Sequence, residues 1–168
     1  LPFKLLPKSL VLPILFGPAK GKKWIVGSAD HGSWLGIYER HEVMKFAEVV
    51  KALPKGAVIF DFGAHSGYYS IVAISANPEL VIHAFEPSGR ADFLAEHIRL
   101  NSIRNIHLHR CAVGKEEAEV KFDGWSVVQQ SCHINSDLQK ASYVKQVRID
   151  QEIHRGHLPL PDLIKMDI

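Results

Sequence analysis

The sequence has little of what several protein classes depend on. Its 168 residues include only two cysteines, Cys111 and Cys132, so a small secreted domain stapled by several disulfides is excluded. No apolar run approaches the ~18 residues of a membrane span, and we therefore expect no stable membrane insertion and a cytoplasmic protein. The formal net charge is only +2, which argues against a dedicated nucleic-acid binder.

What is present fits one globular domain, because 46% of the residues are hydrophobic and glycine and proline are ordinary in number. Proline and glycine interrupt residues 1–40, which we interpret as an N-terminal cap segment. Residues 41–168 form the main domain in this interpretation. The sequence has no initial Met and stops within an apolar stretch, so we expect it to be part of a longer protein.

The main domain alternates between helical and strand patterns. Helices are predicted over 41–53, over 68–76 and after Ser88, where Phe93, Leu94 and Ile98 form the inward stripe. Short apolar runs, typical of strands buried on both faces of a parallel sheet, cover 57–60, 80–85 and 163–168, and a further strand is predicted over 106–113. This order predicts an α/β fold with a doubly wound, Rossmann-like sheet.

Two further segments alternate apolar and charged residues, around 118–122 and 147–149. Such alternation is typical of half-exposed strands, and we expect an inserted β-hairpin. The last strand, 163–168, has no later partner in the sequence, so we expect an exposed apolar edge that promotes self-association.

Ligands of open α/β sheets bind beyond the carboxyl ends of the strands, so polar and glycine residues at those ends are the candidates. The first buried strand runs into Asp61, and Gly63 and Gly67 follow it in a turn that a ligand can approach closely. Glu86 ends the next strand, where a carboxylate can accept hydrogen bonds from both hydroxyls of a ribose. Together these features predict a nucleoside-binding site.

The turn favours one class of nucleoside. A dinucleotide site requires Gly-x-Gly-x-x-Gly, but His65 occupies the second glycine position, and Asp61 would repel a pyrophosphate. A phosphate-binding loop is excluded because no Gly-Lys-Ser/Thr follows. An anionic side chain suits a ligand with an amino group or a sulfonium, and S-adenosyl-L-methionine has both.

The turn and its flanking residues also carry a family resemblance. Residues 58–70 (VIFDFGAHSGYYS) resemble the first motif of class I S-adenosylmethionine-dependent methyltransferases. The chain more narrowly resembles the FkbM-type methyltransferases, although it has His65 at the position where that family usually has an Asn. The segments that carry this narrower resemblance are 34–39 (WLGIYE), 84–87 (AFEP), 112–114 (AVG) and 162–167 (DLIKMD).

The resemblance implies a role for each matching residue. Asp61 is expected near the methionyl amino group, and the methionyl and ribose part is expected along Gly63, Ala64 and Gly67. Glu86 would hold the ribose hydroxyls, and Asp167 would face the transferring methyl group or the substrate. The remaining cofactor-binding candidates are Pro87, Cys111 and Ala112 beside the adenine and Glu39 closing the pocket.

We therefore expect a methyltransferase that acts on a hydroxyl of a small molecule or a saccharide. A hydroxyl acceptor needs a base within hydrogen-bond reach, and His65 and His133 are alternatives to Asp167. Two other functions stay open: a Rossmann-type nucleotide-linked oxidoreductase and a non-catalytic nucleotide-binding or interaction domain. No metal site is expected, because the ten histidines show no zinc-ligand spacing.

Overall fold

The structure, a computed structural model, describes residues 6–122 and 142–168, without the side chain of Ser142. Trp125, Cys132 and His133 therefore lie outside the described residues. The strands are β1 (Val11–Pro13), β2 (Lys23–Ile25), β3 (Val58–Phe62), β4 (Val81–Phe85), β5 (Ile106–His109), β6 (Ala112–Val113), β7 (Ala118–Phe122), β8 (Ser142–Val147) and β9 (Leu163–Met166). The α-helices are α1 (His31–Leu35), α2 (Arg40–Lys51), α3 (Tyr68–Ala76), α4 (Arg90–Leu100) and α5 (Ile149–His154).

The central sheet is parallel, with strand order β5-β4-β3-β9. Helix α3 connects β3 to β4, and α4 connects β4 to β5, so the chain first moves outward from β3 in one direction. Strand β9 then pairs with the other side of β3. The strand order reverses at β3, and this order with its helical connections confirms the predicted doubly wound, Rossmann-like sheet.

Both faces of this sheet are buried or partly buried at the inner strands β3 and β4, which explains the apolar runs that predicted these two strands. On one face, Ile59 and Ile82 belong to an apolar cluster with Leu94 of α4. On the other face, Phe60 and Phe85 form an aromatic layer with ring centroids 5.5 Å apart. Among the described ranges, no helix is long and apolar enough to cross a membrane.

The predicted strand over 106–113 is wrong in one respect, because the chain forms two strands there in two different sheets. Strand β5 ends at His109, and β6 begins at Ala112 as an edge of a second sheet with order β6-β8-β7. Cys111, between them, is buried against the aromatic layer. No glycine or proline marks this break, and the polar pair His109 and Arg110 is its only local signal in the sequence.

The predicted hairpin is confirmed as the antiparallel pair of β7 and β8. The second strand of the hairpin ends earlier than expected, because β8 ends at Val147 and Ile149 begins α5. The predicted edge is also confirmed: in the described part of the chain β9 pairs only with β3 and exposes Ile164 and Met166.

Helix α4 starts and faces the core somewhat differently from the sequence prediction. The Ser88 hydroxyl accepts a hydrogen bond from the Arg90 N–H at 3.1 Å, although the capping position itself is Gly89. The fully buried side chains of the helix are Ala91, Leu94 and His97, whereas the predicted Phe93 and Ile98 are only partly buried. A buried histidine on the inward face was not predicted.

The N-terminal segment packs against the domain more closely than a separate cap would. Strands β1 and β2 form an antiparallel pair, and Trp24 of β2 is fully buried against Tyr68 of α3. Trp24, Trp34 and Val43 share one apolar cluster, which continues from the N-terminal segment into α2 and α3. The boundary after residue 40 stays a prediction.

His97 joins the N-terminal segment to the Gly-rich turn. Its Nε2 accepts a hydrogen bond from the Ile25 N–H at 3.0 Å, and its Nδ1 lies 2.9 Å from the Ser66 carbonyl oxygen. Because a carbonyl oxygen only accepts, Nδ1 carries the hydrogen and the ring is neutral. Trp24 stacks on the ring with centroids 3.9 Å apart. Burial lowers the pKa of His97 to about 4.

We expect the protein to lose stability as the pH falls from about 6.5 to about 4. The unfolded chain binds protons on its histidines near pH 6.5, whereas His97 stays neutral in the folded protein until about pH 4. The His97 share of this loss is about 3 kcal/mol, and His83, whose pKa burial also lowers to about 4, adds to it. Urea unfolding at pH 7 and pH 4.5 measures the total.

A histidine titration followed by NMR isolates the part that belongs to His97. The exposed His41 provides a reference signal in the same spectra. A His97 ring that titrates near pH 6.5 contradicts the prediction.

Candidate functional site

A cavity of about 900 Å³ lies at the carboxyl ends of the central strands, around the switch point. The Gly-rich turn after β3 forms its floor, and the residues after β4, β5 and β9 form its sides. The N-terminal segment supplies the remaining wall through Trp24, Asp30, Ser33 and Tyr38. A second groove of about 870 Å³, between residues 16–18 and α2, contains none of the predicted site residues.

The two glycines of the turn are required by contacts within the protein. Gly63 has a φ of +74°, and a Cβ there would lie closer than 3.0 Å to the carbonyl oxygen of Asp167. Gly67 has a φ of +86°, and a Cβ there would collide with Leu94 of α4. Gly63 and Ala64 line the cavity, whereas Gly67 does not. The close approach that these glycines permit is thus to β9 and α4, not only to a ligand.

Glu86 is a buried carboxylate whose position is fixed by backbone donors. It is 6% exposed; Oε2 accepts from the His65 N–H at 2.7 Å, and Oε1 accepts from the Ser88 N–H at 2.8 Å. A carboxylate has about four acceptor positions, so each oxygen keeps one for a further donor. Because Glu86 lines the cavity, a pair of neighbouring hydroxyls there can donate to it.

Asp61 lies behind the cavity wall. It is 2% exposed; Oδ2 accepts from the Ser70 hydroxyl at 2.7 Å, and Oδ1 lies 3.2 Å from Nζ of Lys165. The cavity lining includes Lys165 but not Asp61. The carboxylate that sequence reasoning placed against a cationic ligand group is therefore paired with a lysine of the chain itself.

Lys165 was not assigned a role from the sequence. Its side chain is 14% exposed, and Nζ lies 4.8 Å from the centroid of the Tyr69 ring and 3.8 Å from Oδ2 of Asp167. The signal that could have found it is its position: a lysine in the apolar run 163–168, in register with Asp61 of the neighbouring strand.

Asp167 follows β9 and lines the cavity. Its N–H donates to the Phe62 carbonyl at 3.0 Å, which fixes the backbone, while its side chain is 70% exposed. A carboxylate on the rim can meet a substrate that enters from solvent. The structure therefore brings Asp167 to the same cavity as Glu86.

Glu39 does not line the cavity, but it contacts a residue that does. Its carboxylate accepts from the Tyr69 hydroxyl at 2.7 Å, and its φ of +40° lies in the left-handed region. Burial and the hydrogen bond to Glu39 raise the pKa of Tyr69, and they raise the pKa of Tyr38 to about 12. Both phenols therefore stay protonated at neutral pH and are hydrogen-bond donors.

The opposite end of the cavity, at β6, is mostly apolar. Cys111 and Ala112 line it together with Val113 and Phe122, and Pro87 lies next to Glu86. Burial raises the pKa of the Cys111 thiol to about 11, so this cysteine stays a neutral thiol near pH 7 and is a poor nucleophile.

His65 lies in the turn, with a φ of +50°. Burial, together with the positive charge of Arg90, lowers the pKa of His65. The imidazole is consequently neutral at pH 7 and can accept a proton. His133, the other alternative base, lies outside the described residues.

The comparisons with known proteins give one match in sequence. The chain is 31% identical over 88 residues to ribosomal RNA small subunit methyltransferase G of Thermobifida fusca (strain YX). The match covers 52% of this chain and 37% of that relative, so the chain spans well under half of the relative's length. No protein-family model matches the sequence.

Solved structures give weaker matches. A SAM-dependent methyltransferase from Agrobacterium tumefaciens aligns with a TM-score of 0.47 and 11% identity, over 64% of this chain and 33% of that one. TYW2 of P. horikoshii, solved with MeSAdo, aligns with a TM-score of 0.43 and 18% identity, over 64% and 38%. The assignment of the fold rests on the strand order of the chain itself.

We expect Gly63→Ala to destabilise the protein more than Gly56→Ala does. Both glycines have a positive φ, +74° and +78°, but a Cβ at position 56 meets nothing within 4 Å. Gly56→Ala should therefore cost about 1 kcal/mol of backbone strain. Gly63→Ala adds a collision with the backbone of Asp167, at a further cost of about 1–3 kcal/mol. Urea unfolding of the two variants tests this, and equal losses would show that β3 and β9 do not approach as closely as described.

Proposed function

We propose that this chain is the cofactor-binding part of a class I S-adenosylmethionine-dependent methyltransferase. The observation that carries the proposal is Glu86, a buried carboxylate held by the N–H groups of His65 and Ser88 with acceptor capacity left toward the cavity. It lies at the end of the strand beside the switch point, where a ribose diol is bound in this type of sheet. The matched methyltransferase of Thermobifida fusca supports the same assignment.

The cavity fits the cofactor in size and in charge. Its volume of about 900 Å³ is within the range of small-molecule sites. Asp61, Lys165 and Asp167 together carry a formal charge of −1, and the cofactor, with an ammonium, a sulfonium and a carboxylate, carries +1. A pyrophosphate-bearing dinucleotide would bring negative charge beside Asp167, which disfavours the oxidoreductase alternative.

The cofactor supplies an activated methyl group, and the residues of this chain bind and orient it. In this proposal Glu86 holds the ribose, and Pro87, Cys111 and Ala112 border the adenine. Gly63 and Ala64 line the methionyl part, close to Gly67. Asp61 does not contact the methionyl part directly but holds Lys165, which lines the cavity there. Glu39 likewise does not contact the cofactor but accepts a hydrogen bond from Tyr69, which lines the cavity.

The acceptor side of the reaction depends on alignment and on a base. Displacement at a methyl group is in-line and neutralises the sulfonium, so a dry, well-aligned site supplies much of the acceleration. Asp167 is the proposed general base because its carboxylate is accessible at the cavity. His65 is the alternative, since its imidazole is neutral and can accept the proton.

We further propose that the acceptor is a hydroxyl oxygen of a small molecule or a saccharide. A formal charge of +2 provides little attraction for a nucleic-acid backbone. A second candidate is an RNA acceptor, which the name of the matched relative favours. The proposal also includes membership of the FkbM-type family, which residues 84–87 and 162–167 support. It further includes a cytoplasmic location.

The experiment that tests the acceptor uses the full-length protein with methyl-labelled S-adenosylmethionine. Label is followed in parallel into a metabolite and glycan extract and into total RNA, with Glu86→Gln protein as the inactive control. Label in a small product supports the first acceptor, and label in RNA overturns it in favour of the second. Label in neither fraction favours a non-catalytic binding domain.

We expect S-adenosylhomocysteine, but not NAD(H), to raise the melting temperature of the protein. A ligand that binds only the native state stabilises it according to its concentration and affinity. Differential scanning fluorimetry measures both effects. Stabilisation by NAD(H) alone would support the oxidoreductase alternative.

We expect Glu86→Gln to weaken S-adenosylhomocysteine binding by roughly 1–3 kcal/mol, because a ribose hydroxyl loses its charged partner. Glu96→Gln is the matched control, since Glu96 is on α4 and pairs only with Arg99 in the described contacts. Calorimetric titration of both variants checks this. An unchanged affinity for Glu86→Gln removes Glu86 from the ribose role.

A further inference from the structure

The ammonium of Lys165 is directed into the cofactor cavity by the residues around it. Asp61 holds it from below at 3.2 Å, and the Tyr69 ring lies to one side with its centroid 4.8 Å away. An ammonium has three donors, and the only described carboxylates near it are Asp61 and, at 3.8 Å, Asp167. Donor capacity therefore remains on the side that faces the cavity.

Lys165 lies at the opposite end of the cavity from the apolar end. Along the carboxyl edge of the sheet, β9 carries Lys165, β3 is followed by Gly63, and β4 is followed by Glu86. The apolar lining of Ala112 and Phe122 lies beyond the β5 side. A nucleoside whose ribose is at Glu86 and whose base is in the apolar end extends its remaining part toward Lys165.

Arg90 is the other strongly basic side chain in the described lining, and one of its donors holds the N-terminal segment on the Glu86 side. Its Nη1 donates to the Ser28 carbonyl at 2.8 Å, and it belongs to the helix that follows Glu86. Lys165 is thus the cation that is available at the β9 end of the cavity.

We propose that Lys165 binds the carboxylate of the cofactor's amino-acid part, and that Asp61 positions Lys165 instead of contacting the cofactor amino group. This inference rests on the proposed function, because it assumes an S-adenosylmethionine-type ligand. It assigns the selectivity for a ligand with an α-carboxylate to one side chain. Asp61 is a positioning residue in this arrangement, and Lys165 is a binding residue.

The obvious variant, Lys165→Met, leaves Asp61 buried without its partner, and such a change is strongly destabilising. The double variant Asp61→Asn/Lys165→Met removes both charges together and keeps the amide able to accept from Ser70. Lys165→Arg keeps the positive charge. Lys55→Met is the matched control, since Lys55 forms an exposed pair with Glu79.

The experiment is a calorimetric titration of each variant with three ligands. S-adenosylhomocysteine has the carboxylate and the amino group, its decarboxylated analogue lacks only the carboxylate, and 5′-methylthioadenosine lacks both. We expect the double variant to bind S-adenosylhomocysteine about 10- to 100-fold more weakly, the scale of a hydrogen bond to a charged group. The other two ligands should bind it as they bind the wild type, and Lys55→Met should change nothing.

Two results would overturn the inference while leaving the proposed function intact. One is wild-type affinity of the double variant for S-adenosylhomocysteine, which would show that Lys165 only neutralises Asp61. The other is an equal loss for 5′-methylthioadenosine, which would show a general collapse of the cavity. Wild-type protein that binds none of the three ligands overturns both proposals.

The wild type alone also tests the inference if the double variant does not fold. Removal of the carboxylate from the ligand should then weaken binding by about 10-fold or more. Equal affinity of the wild type for S-adenosylhomocysteine and its decarboxylated analogue overturns the inference. A Lys165→Arg variant that still binds S-adenosylhomocysteine more tightly than the decarboxylated analogue supports the inference.

Discussion

The neutral ring of His97 holds together parts of the chain that the sheet does not join. One ring nitrogen binds Ile25 of the N-terminal segment, and the other binds Ser66 of the Gly-rich turn. The Ser66 hydroxyl in turn donates to the Ser28 carbonyl at 2.6 Å, so the same turn is tied twice to the segment that walls the cavity. Protonation of His97 would place an Nε2–H donor against the Ile25 N–H donor, and the wall and the floor of the cavity would lose one of the two connections between them.

The acidic residues of the carboxyl edge have different surroundings, and the proposed function therefore gives them different roles. Glu86 is satisfied by backbone N–H groups, which leaves its net charge available to a ligand. Asp61 is neutralised by Lys165, which leaves the lysine to act at the cavity surface. Asp167 is exposed and free to meet a substrate. A carboxylate at the end of a parallel strand can therefore bind, position or react, depending on which donors the fold supplies.

Local patterns predicted the elements and the edge of the sheet at which the cavity lies, because apolar runs and strand-end polar residues are sequence-local features. They did not predict contacts that join distant positions. The partner of Asp61 is Lys165, and the contact that requires glycine at position 63 is made by Asp167. The burial of His97 depends on Trp24 and Ile25. The break after His109 was missed because no glycine or proline marks it.

The ion pair of Asp61 and Lys165 has a consequence for the edge strand that carries it. In the described part of the chain, β9 is bonded to β3 on one side only, and its outward residues Ile164 and Met166 contribute little packing. A slip of one residue would turn Lys165 to the other face of the sheet and leave Asp61 buried without a counter-ion. The charged pair therefore stabilises one register of β9 against β3. This register determines where β9 ends and thus where Asp167 lies at the cavity.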